Sequence, residues 1–343
     1  MRIINKLPDA EEVKSEFPID NNLQKLREEH LKAVKQVLSG SSNRFLFVVG
    51  PCSADNEQAV LEYVSRLSRL QEKVKDEAVL VPRIYTCKPR TTGDGYKGML
   101  HQPVLSEPEN MVAGVRAVRK LHVDIAKETG MFSAEEMLYT EMMSYIEDLL
   151  IYTVVGARSV EDQQHRLVSS GMDMPLGMKN PMNGDISVML NSIQSAQHAH
   201  RFVYNNCEVE SEGNLYSHAI LRGYLDENGL ARPNYHYESL LRLYSNYEAR
   251  NLSNMAVVVD CNHHNSNKQY EEQIRIANEV VDLRNYDERL KKIIKGLMIE
   301  SYIEDGRQNL DGKVFGKSIT DACLGWDKTE RLVLSIVEKT SKR

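Results

Sequence analysis

Charged and metal-ligating side chains follow short apolar runs at eight places between residues 45 and 301. The runs are 45–49, 79–85, 131–134, 149–155, 174–178, 219–221, 256–259 and 293–299. Loops that need only solubility do not place Arg, Lys, Cys and His directly after apolar runs so regularly. We therefore take the polar residues that follow each run as candidates for a single site.

Six of these candidates are cations: Arg83, Lys88, Arg90, Arg158, Lys179 and Arg222. Converging cations repel one another unless an anion neutralises them, and guanidinium groups bind phosphate and carboxylate through paired hydrogen bonds. Each residue taken alone is more simply a solvated strand end. Together they predict a site for small substrates that carry several negative charges and more than one phosphate group.

A second group of candidates combines a thiol, an imidazole and two carboxylates: Cys52, His263, Glu300 and Asp321. This mixture of soft and hard ligands suits a divalent transition metal (Mn²⁺, Fe²⁺, Co²⁺ or Zn²⁺) better than Mg²⁺ or Ca²⁺. A lone cysteine after a strand is more often a buried space-filler, and a lone histidine is more often a hydrogen-bonded residue at the rim. The spacing alone leaves both interpretations open.

The stretches between the apolar runs have helical spacing. Apolar residues recur every three or four positions within 60–70, 111–125 and 274–281. Eight strand–helix units favour a closed (β/α)8 TIM barrel, in which the carboxyl ends of all strands share one rim. An open, doubly wound sheet remains the alternative, because periodicity counts strands without closing them.

The first 43 residues differ from the rest, so we expect an N-terminal arm and helix (1–43) followed by a catalytic barrel (44–343). Asp20 or Asn21 can cap a helix that ends at Gly40. Residues 1–18 show no period and are expected to form an arm. The segment 202–217 contains turn-forming residues and predicts an inserted β-hairpin.

Composition narrows the class of protein. The chain has 43 Lys and Arg against 49 Asp and Glu, a net charge of −6, which argues against nucleic acid or an anionic membrane as the main partner. No apolar run reaches the roughly 20 residues of a membrane span, and the first residues lack the apolar stretch of a secretion signal. Five cysteines without a CxxC pair predict free thiols and a cytoplasmic protein.

Eight segments match, in order, the pattern of one enzyme family. They are Gly50-Pro51-Cys52-Ser53, Lys88-Pro89-Arg90-Thr91-Thr92, Gly156-Ala157-Arg158-Ser159, Gly177-Met178-Lys179-Asn180, Leu221-Arg222-Gly223, Asp260-Cys261-Asn262-His263, Met298-Ile299-Glu300-Ser301 and Gly316-Lys317-Ser318-Ile319-Thr320-Asp321. Over residues 44–330 the chain resembles the class I 3-deoxy-D-arabino-heptulosonate 7-phosphate (DAHP) synthases. The second and last segments are specific signals, whereas Gly-Ala-Arg or Leu-Arg-Gly alone would be weak.

The resemblance implies a transferase that condenses phosphoenolpyruvate with D-erythrose 4-phosphate and water and releases phosphate, the first step of the shikimate pathway to chorismate and the aromatic amino acids. It implies that Cys52, His263, Glu300 and Asp321 bind one divalent transition metal. It implies a phosphoenolpyruvate cradle of Arg83, Lys88, Arg158, Lys179, Arg222 and the backbone N–H of Ala157. It implies an erythrose 4-phosphate site at Lys88, Pro89, Arg90 and Thr91, with Asp321 facing the metal.

The residue types suit this reaction. A divalent metal can polarise the aldehyde, and Lys88 can donate a proton to the new hydroxyl. Glu136, which aligns with a family carboxylate, or a water on the metal can deliver the water that adds to phosphoenolpyruvate. Glu135 is the alternative to Glu136, and we favour Glu136.

Cys323 lies two residues from Asp321, close enough in sequence to place its thiol at the same rim. We expect oxidation to couple Cys52 to Cys323 and to inactivate the metal-free enzyme. A buried space-filling role for Cys323 is the equal alternative.

The resemblance also bears on regulation and assembly. Family members often bind an aromatic amino acid in a pocket built from the N-terminal arm, the third βα segment and the inserted hairpin. Thr140, Ser144 and Asp173 depart from the phenylalanine-sensitive pattern, and the arm is short. We therefore expect either no feedback inhibition or a different effector. The family expectation for assembly is a homodimer or homotetramer.

Two other functions fit parts of the pattern. One is a synthase of the 3-deoxy-octulosonate 8-phosphate type, which uses a longer sugar phosphate; residues 88–92 favour the four-carbon acceptor by resemblance. The other is a non-catalytic regulator that binds sugar phosphates on a retained barrel. The presence of all four metal-ligand residue types argues against that regulator.

Overall fold

Eight parallel strands form a barrel in the computed structural model, which describes residues 1–341. They are β1 (Phe45–Gly50), β2 (Ala78–Pro82), β3 (Ser133–Glu136), β4 (Leu150–Val155), β5 (Leu176–Lys179), β6 (Ser217–Leu221), β7 (Val257–Asp260) and β8 (Ile294–Glu300). The strands pair in the order β2-β1-β8-β7-β6-β5-β4-β3. The Ile84 amide donates to the Ala134 carbonyl at 2.9 Å and closes the ring between β2 and β3. The predicted TIM barrel is confirmed.

The predicted apolar runs locate all eight strands, but β3 is displaced along the chain. The run 131–134 predicted it, whereas the strand is Ser133–Glu136 and ends in two buried carboxylates. Met131 and Phe132 are buried just ahead of the strand. Apolar content misplaces β3 because half of its residues are glutamates, which a search for apolar runs does not select.

Helices cover the outside of the barrel. Those in the described chain are α1 (Ala10–Glu16), α2 (Asn21–Ser39), α3 (Glu57–Val74), α4 (Met111–Thr129), α5 (Met143–Ile146), α6 (Gln163–Gly171), α7 (Ile186–Ala196), α8 (Tyr237–Arg250), α9 (Glu272–Tyr286), α10 (Glu288–Ile293) and α11 (Trp326–Ser341), with 3₁₀ turns at Thr140–Met142 and Glu147–Leu149. Their buried faces pack on the strands with the predicted helical spacing; α3 buries Val60, Val64 and Leu67.

The N-terminal region contains one helix more than predicted. The predicted helix is α2: Asp20 caps it by accepting a hydrogen bond from the Leu23 amide at 2.8 Å, and Gly40 ends it with φ +79°. Residues 10–16, expected to be part of an irregular arm, form α1. Val13 is its buried residue, so this short helix shows no apolar period to read. The boundary at residue 43 between two domains stays a prediction.

The predicted hairpin is present and begins two residues earlier than expected. Its antiparallel strands are His200–Tyr204 and Cys207–Ser211. Asn205 and Asn206 form the turn with φ +48° and +60°, as a two-residue hairpin requires. A shorter pair, Tyr224–Leu225 with Ala231–Arg232, follows β6. None of the helices between residues 1 and 341 has both the length and the apolar character needed to cross a membrane.

Candidate active site

A cavity of about 170 Å³ lies at the carboxyl ends of the barrel strands, the face where TIM barrels carry their active sites. Among residues 1–341 it is lined by the cations Lys88, Arg90, Arg158, Lys179, Arg222 and Lys268, the carboxylates Glu136 and Asp321, and Pro89, Ala157, Met182, His263 and His264. The fold thus brings five of the six predicted cations to one cavity. Thr91 is beside it: its Oγ1 accepts a hydrogen bond from Arg158 Nε at 3.0 Å.

Arg83, the sixth predicted cation, is fully buried and lies beneath the cavity. Its Nη2 is 2.9 Å from Glu300 Oε1, its Nη1 donates to the Pro51 carbonyl, and its guanidinium stacks 3.7 Å from the centre of the Tyr85 ring. Burial alone would lower the pKa of Arg83, but Glu300 raises it, so the ion pair persists. Arg83 is therefore placed to hold Glu300, and it does not border the cavity in the described chain.

Three of the four predicted metal ligands converge. Ligand atoms of Cys52, Glu300 and Asp321 all lie within 4.8 Å of one another. The fourth, His263, is outside that set, although its Nε2 lies 3.7 Å from Glu300 Oε1. A thiol, an imidazole and two carboxylates form a donor set that fits a divalent transition metal. These residues therefore could hold the predicted ion.

His263 is oriented by a buried carboxylate that the sequence reasoning did not select. Its Nδ1 lies 2.8 Å from Asp260 Oδ2, which leaves Nε2 directed toward Glu300. Metal-binding imidazoles are commonly oriented in this way by a carboxylate on the other ring nitrogen. His263 has φ +52°, in the left-handed region, so the turn after β7 is what brings its ring back over Asp260.

Lys88 sits between the thiol and the cavity. Its Nζ donates to the Cys52 carbonyl at 2.9 Å and lies 3.1 Å from Cys52 Sγ. Burial and the Glu300 carboxylate raise the pKa of Cys52, so the thiol is protonated in this state. Burial opposes the charge on Lys88 as well, but the Glu300 carboxylate raises its pKa, and Lys88 keeps its proton.

The β3 carboxylates have different roles. Glu135 accepts hydrogen bonds from the amides of Thr86 and Glu136 and is occupied within the structure. Glu136 faces the cavity, with Oε2 3.3 Å from Lys179 Nζ. Burial would raise the pKa of Glu136, but Lys179 and Lys88 lower it, so it is a carboxylate. Gly156 makes room for it, because a Cβ there would lie 2.5 Å from Glu136 Oε1.

Arg222 is held by two residues that the sequence reasoning missed. Its Nη1 lies 3.1 Å from His264 Nδ1, and its backbone amide donates to Asn180 Oδ1 at 2.9 Å. Burial and the Arg222 charge lower the pKa of His264 to about 4, so a neutral ring accepts from the guanidinium. Asn180 ends one of the matching segments, whereas the sequence signal for His264 was its position directly after His263.

Arg90, Lys268 and Asp321 also line the cavity. Arg90 Nε donates to the Tyr96 carbonyl at 2.8 Å, and Lys268 Nζ lies 3.2 Å from Asp321 Oδ1. Burial would raise the pKa of Asp321, but Lys88 and Lys268 lower it to about 2. Lys268 was missed because it follows no apolar run; the turn after β7 brings it to the rim.

Cys323 is adjacent to Cys52. The Cys52 amide donates to Cys323 Sγ at 3.4 Å, and both residues are buried free thiols. The predicted proximity of the two cysteines is therefore present. The coupling of the two by oxidation stays a prediction.

Comparison with known proteins agrees with the resemblance seen in the sequence. The model of the DAHP synthetase I family matches residues 16–334. The phospho-2-dehydro-3-deoxyheptonate aldolase of Haemophilus influenzae is 36% identical over 90% of this chain and 84% of its own length. The Phe-sensitive enzyme of that name from Escherichia coli K12 is 34% identical over 95% and 92%.

A solved structure gives the same result for the fold. The phospho-2-dehydro-3-deoxyheptonate aldolase of Francisella tularensis SCHU S4 superposes with a TM-score of 0.91 at 28% identity, covering 99% of this chain and 98% of that one. Together with the family match across most of the barrel, this shows that the chain belongs to the DAHP synthetase I family.

Proposed function

We propose that the chain is a 3-deoxy-7-phosphoheptulonate synthase, which condenses phosphoenolpyruvate with D-erythrose 4-phosphate and water and releases phosphate, with the help of one divalent transition metal. The observation that carries the proposal is the cluster of Cys52, Glu300 and Asp321 beside a cavity lined with cations. The names of the relatives support the same activity.

The cations are suited to phosphoenolpyruvate, which carries a phosphate and a carboxylate. Arg158, Lys179 and Arg222, at the ends of the neighbouring strands β4, β5 and β6, line the cavity. Arginine forks bind both groups through paired hydrogen bonds, and a buried lysine adds a compact charge. Holding two anionic substrates together requires such charges, since the substrates repel each other. We assign Arg83 to positioning Glu300, in place of direct substrate contact.

The metal site would be formed by Cys52, His263, Glu300 and Asp321. An ion bound there would act as a Lewis acid that polarises the aldehyde carbonyl of the acceptor. Because Cys52 holds its proton in the present state, loading of the site requires that proton to leave. Lys88, 3.1 Å from the sulfur, favours the thiolate electrostatically.

Two residues are placed to move protons. Lys88 remains an ammonium at the junction of the thiol and the cavity, so it can donate a proton to the hydroxyl that forms on the acceptor. Glu136 remains a carboxylate on the cavity wall, so it can orient and deprotonate the water that adds to the middle carbon of phosphoenolpyruvate. Phosphate then leaves by cleavage of its C–O bond.

An assay with two sugar phosphates identifies the acceptor substrate. Phosphate release from phosphoenolpyruvate, with Mn²⁺ present, is measured with erythrose 4-phosphate and with arabinose 5-phosphate. We expect the four-carbon acceptor to give the higher kcat/KM by at least tenfold. Preference for arabinose 5-phosphate would indicate the octulosonate type, and no release with either would indicate a non-catalytic binding protein.

We further propose control by an aromatic amino acid other than phenylalanine. Relatives are named Phe-sensitive, Tyr-sensitive and Trp-sensitive. Two of the positions that depart from the phenylalanine-sensitive pattern make contacts of their own. Asp173 accepts hydrogen bonds from both Nη atoms of Arg27 at 2.9 Å, and the Thr140 carbonyl accepts one from the Tyr204 hydroxyl of the hairpin at 2.9 Å. Inhibition assays with phenylalanine, tyrosine and tryptophan test this; inhibition by none of them, or by phenylalanine most strongly, would contradict it.

We expect a homodimer or homotetramer, to be measured by light scattering on the eluting protein. The exposed apolar side chains of Ile3 and Ile4 near the N-terminus are candidates for a contact between copies. The five cysteines are free thiols, which agrees with a reducing cytoplasm.

A further inference from the structure

A second basic cavity lies at the opposite end of the barrel from the active site. Its volume is about 520 Å³, and it is bordered by the end of α2, by the segments that lead into β1 and β7, and by the start of β8. We call it the basal cavity. Its cations in the described chain are Arg44, Arg284, Lys291, Lys292 and Lys295, against the single carboxylate of Glu288.

Most of these cations have no carboxylate partner. Lys291 pairs with Glu288 at 3.3 Å. Arg44 contacts Ser42, and Arg284 donates to the Ile294 carbonyl and lies 5.5 Å from the centre of the Phe45 ring. Among residues 1–337 no carboxylate forms an ion pair with Arg44, Arg284, Lys292 or Lys295, although Glu288 acts on Arg284 from a distance, in a chain whose net charge is −6. The protein as a whole has more carboxylates than cations, yet these cations are unpaired. Because they repel one another, a bound anion would stabilise the group.

Lys295 is the most constrained of the group. It is the half-buried second residue of β8, and its Nζ lies 3.0 Å from where a Cβ on Gly40 would be. Burial and the charges of Arg284 and Lys292 lower the pKa of Lys295 to about 8. The carboxyl end of α2 also borders the cavity, but its partial charge of about half an electron cannot balance four cations.

We propose that the basal cavity binds a small phosphate-bearing anion through Arg44, Arg284, Lys292 and Lys295. Guanidinium and ammonium groups together suit the several oxygens of a phosphate group. The volume lies in the range of pockets that hold small organic ligands, and Leu252 and Met255 form an apolar part of the cavity wall. The site is separate from the proposed active site and does not depend on the proposed condensation.

Calorimetric titration of the full chain with inorganic pyrophosphate tests the site. The wild type should show two classes of site, one at each end of the barrel. Lys292→Gln with Lys295→Gln should weaken one class at least tenfold and leave condensation activity near wild type, whereas Arg222→Gln should weaken the other class. Lys25→Gln with Lys32→Gln, on the exposed face of α2, makes the same change of charge at a distance and should leave both classes intact.

A second measurement needs no variant. At pH 8 a lysine of pKa about 8 is about half neutral, against less than one part in a hundred for an ordinary lysine, so an amine-reactive reagent should label Lys295 faster than Lys32. Pyrophosphate should slow the labelling of Lys295 severalfold and leave that of Lys32 unchanged.

Absence of that protection, or two unchanged classes of site in the double variant, would overturn the proposal. Parallel titrations with inorganic phosphate and with fructose 1,6-bisphosphate identify the source of the anion. Tighter binding of the sugar bisphosphate indicates an organic phosphate, and tighter binding of the inorganic anion indicates a free phosphate site. Failure of the proposed condensation would leave these readouts unaffected.

Discussion

At the scale of single residues, each functional side chain in this protein is defined by a neighbour. Glu135 and Glu136 are adjacent in β3, yet Glu135 accepts hydrogen bonds from backbone amides whereas Glu136 faces Lys179 in the cavity. His263 depends on Asp260, and Arg222 depends on His264. Residue type alone therefore cannot assign the roles.

Substitution of the two β3 glutamates should affect two different properties, catalysis and thermal stability. Glu136→Gln should lower kcat by about a hundredfold or more, because an amide cannot accept a proton from water, and should change stability little. Glu135→Gln should instead lower the thermal midpoint, because the neutral amide is a weaker acceptor for the Thr86 amide and hydroxyl. Steady-state kinetics and thermal unfolding of both variants check this. Equal losses of kcat would contradict the assignment.

At the scale of elements, the sequence predicts the strands and helices whose apolar residues recur at a regular spacing. It does not predict the features that depend on individual contacts. Strands and helices were found because their apolar residues recur, and α2 was bounded by its caps. Helix α1 was missed because it buries Val13 alone. The convergence of Cys52, Glu300 and Asp321, separated by up to 269 positions, depends on closure of the ring, which periodicity does not encode.

The loop after β4 has a glycine at position 156, which leaves room for the Glu136 side chain. Gly156→Ala would place a Cβ 2.5 Å from Glu136 Oε1, so the carboxylate must turn away. We expect kcat to fall at least tenfold with little change in stability. Gly171→Ala is the matched control, since its Cβ would meet Ser211 at an ordinary 3.6 Å and should leave kcat unchanged. Wild-type kcat in the Gly156 variant would contradict the proposed role of Glu136.

At the scale of the whole molecule, the barrel carries a basic cavity at each end and a buried interior between them. His218 of β6 lies in that interior, where Tyr152 donates to Nε2 at 2.7 Å and Nδ1 faces the Tyr216 carbonyl at 2.9 Å. Burial lowers the pKa of His218 from 6.5 to about 4. The interior therefore tolerates the neutral ring and resists its protonation.

The low pKa of His218 predicts that the free energy of unfolding decreases as the solution becomes acidic. Its folded-state pKa lies below its unfolded value, so its contribution is complete above pH 6.5 and is lost as the pH falls toward 4. The loss is at most about 3 kcal/mol. Denaturant unfolding between pH 7.5 and 4 should show a smaller decline for His218→Gln than for the wild type. The exposed His198→Gln should decline as the wild type does, and parallel curves for all three would refute the assignment.

The central claim is that one end of the barrel joins a divalent metal to a cluster of cations for a single condensation. The most direct measurement is phosphate release from phosphoenolpyruvate and erythrose 4-phosphate by protein stripped of metal and then titrated with Mn²⁺. We predict no release from the stripped protein, recovery that saturates near one ion per chain, and no recovery in Cys52→Ala. Full activity of the stripped wild type, or of Cys52→Ala without added metal, would contradict the account.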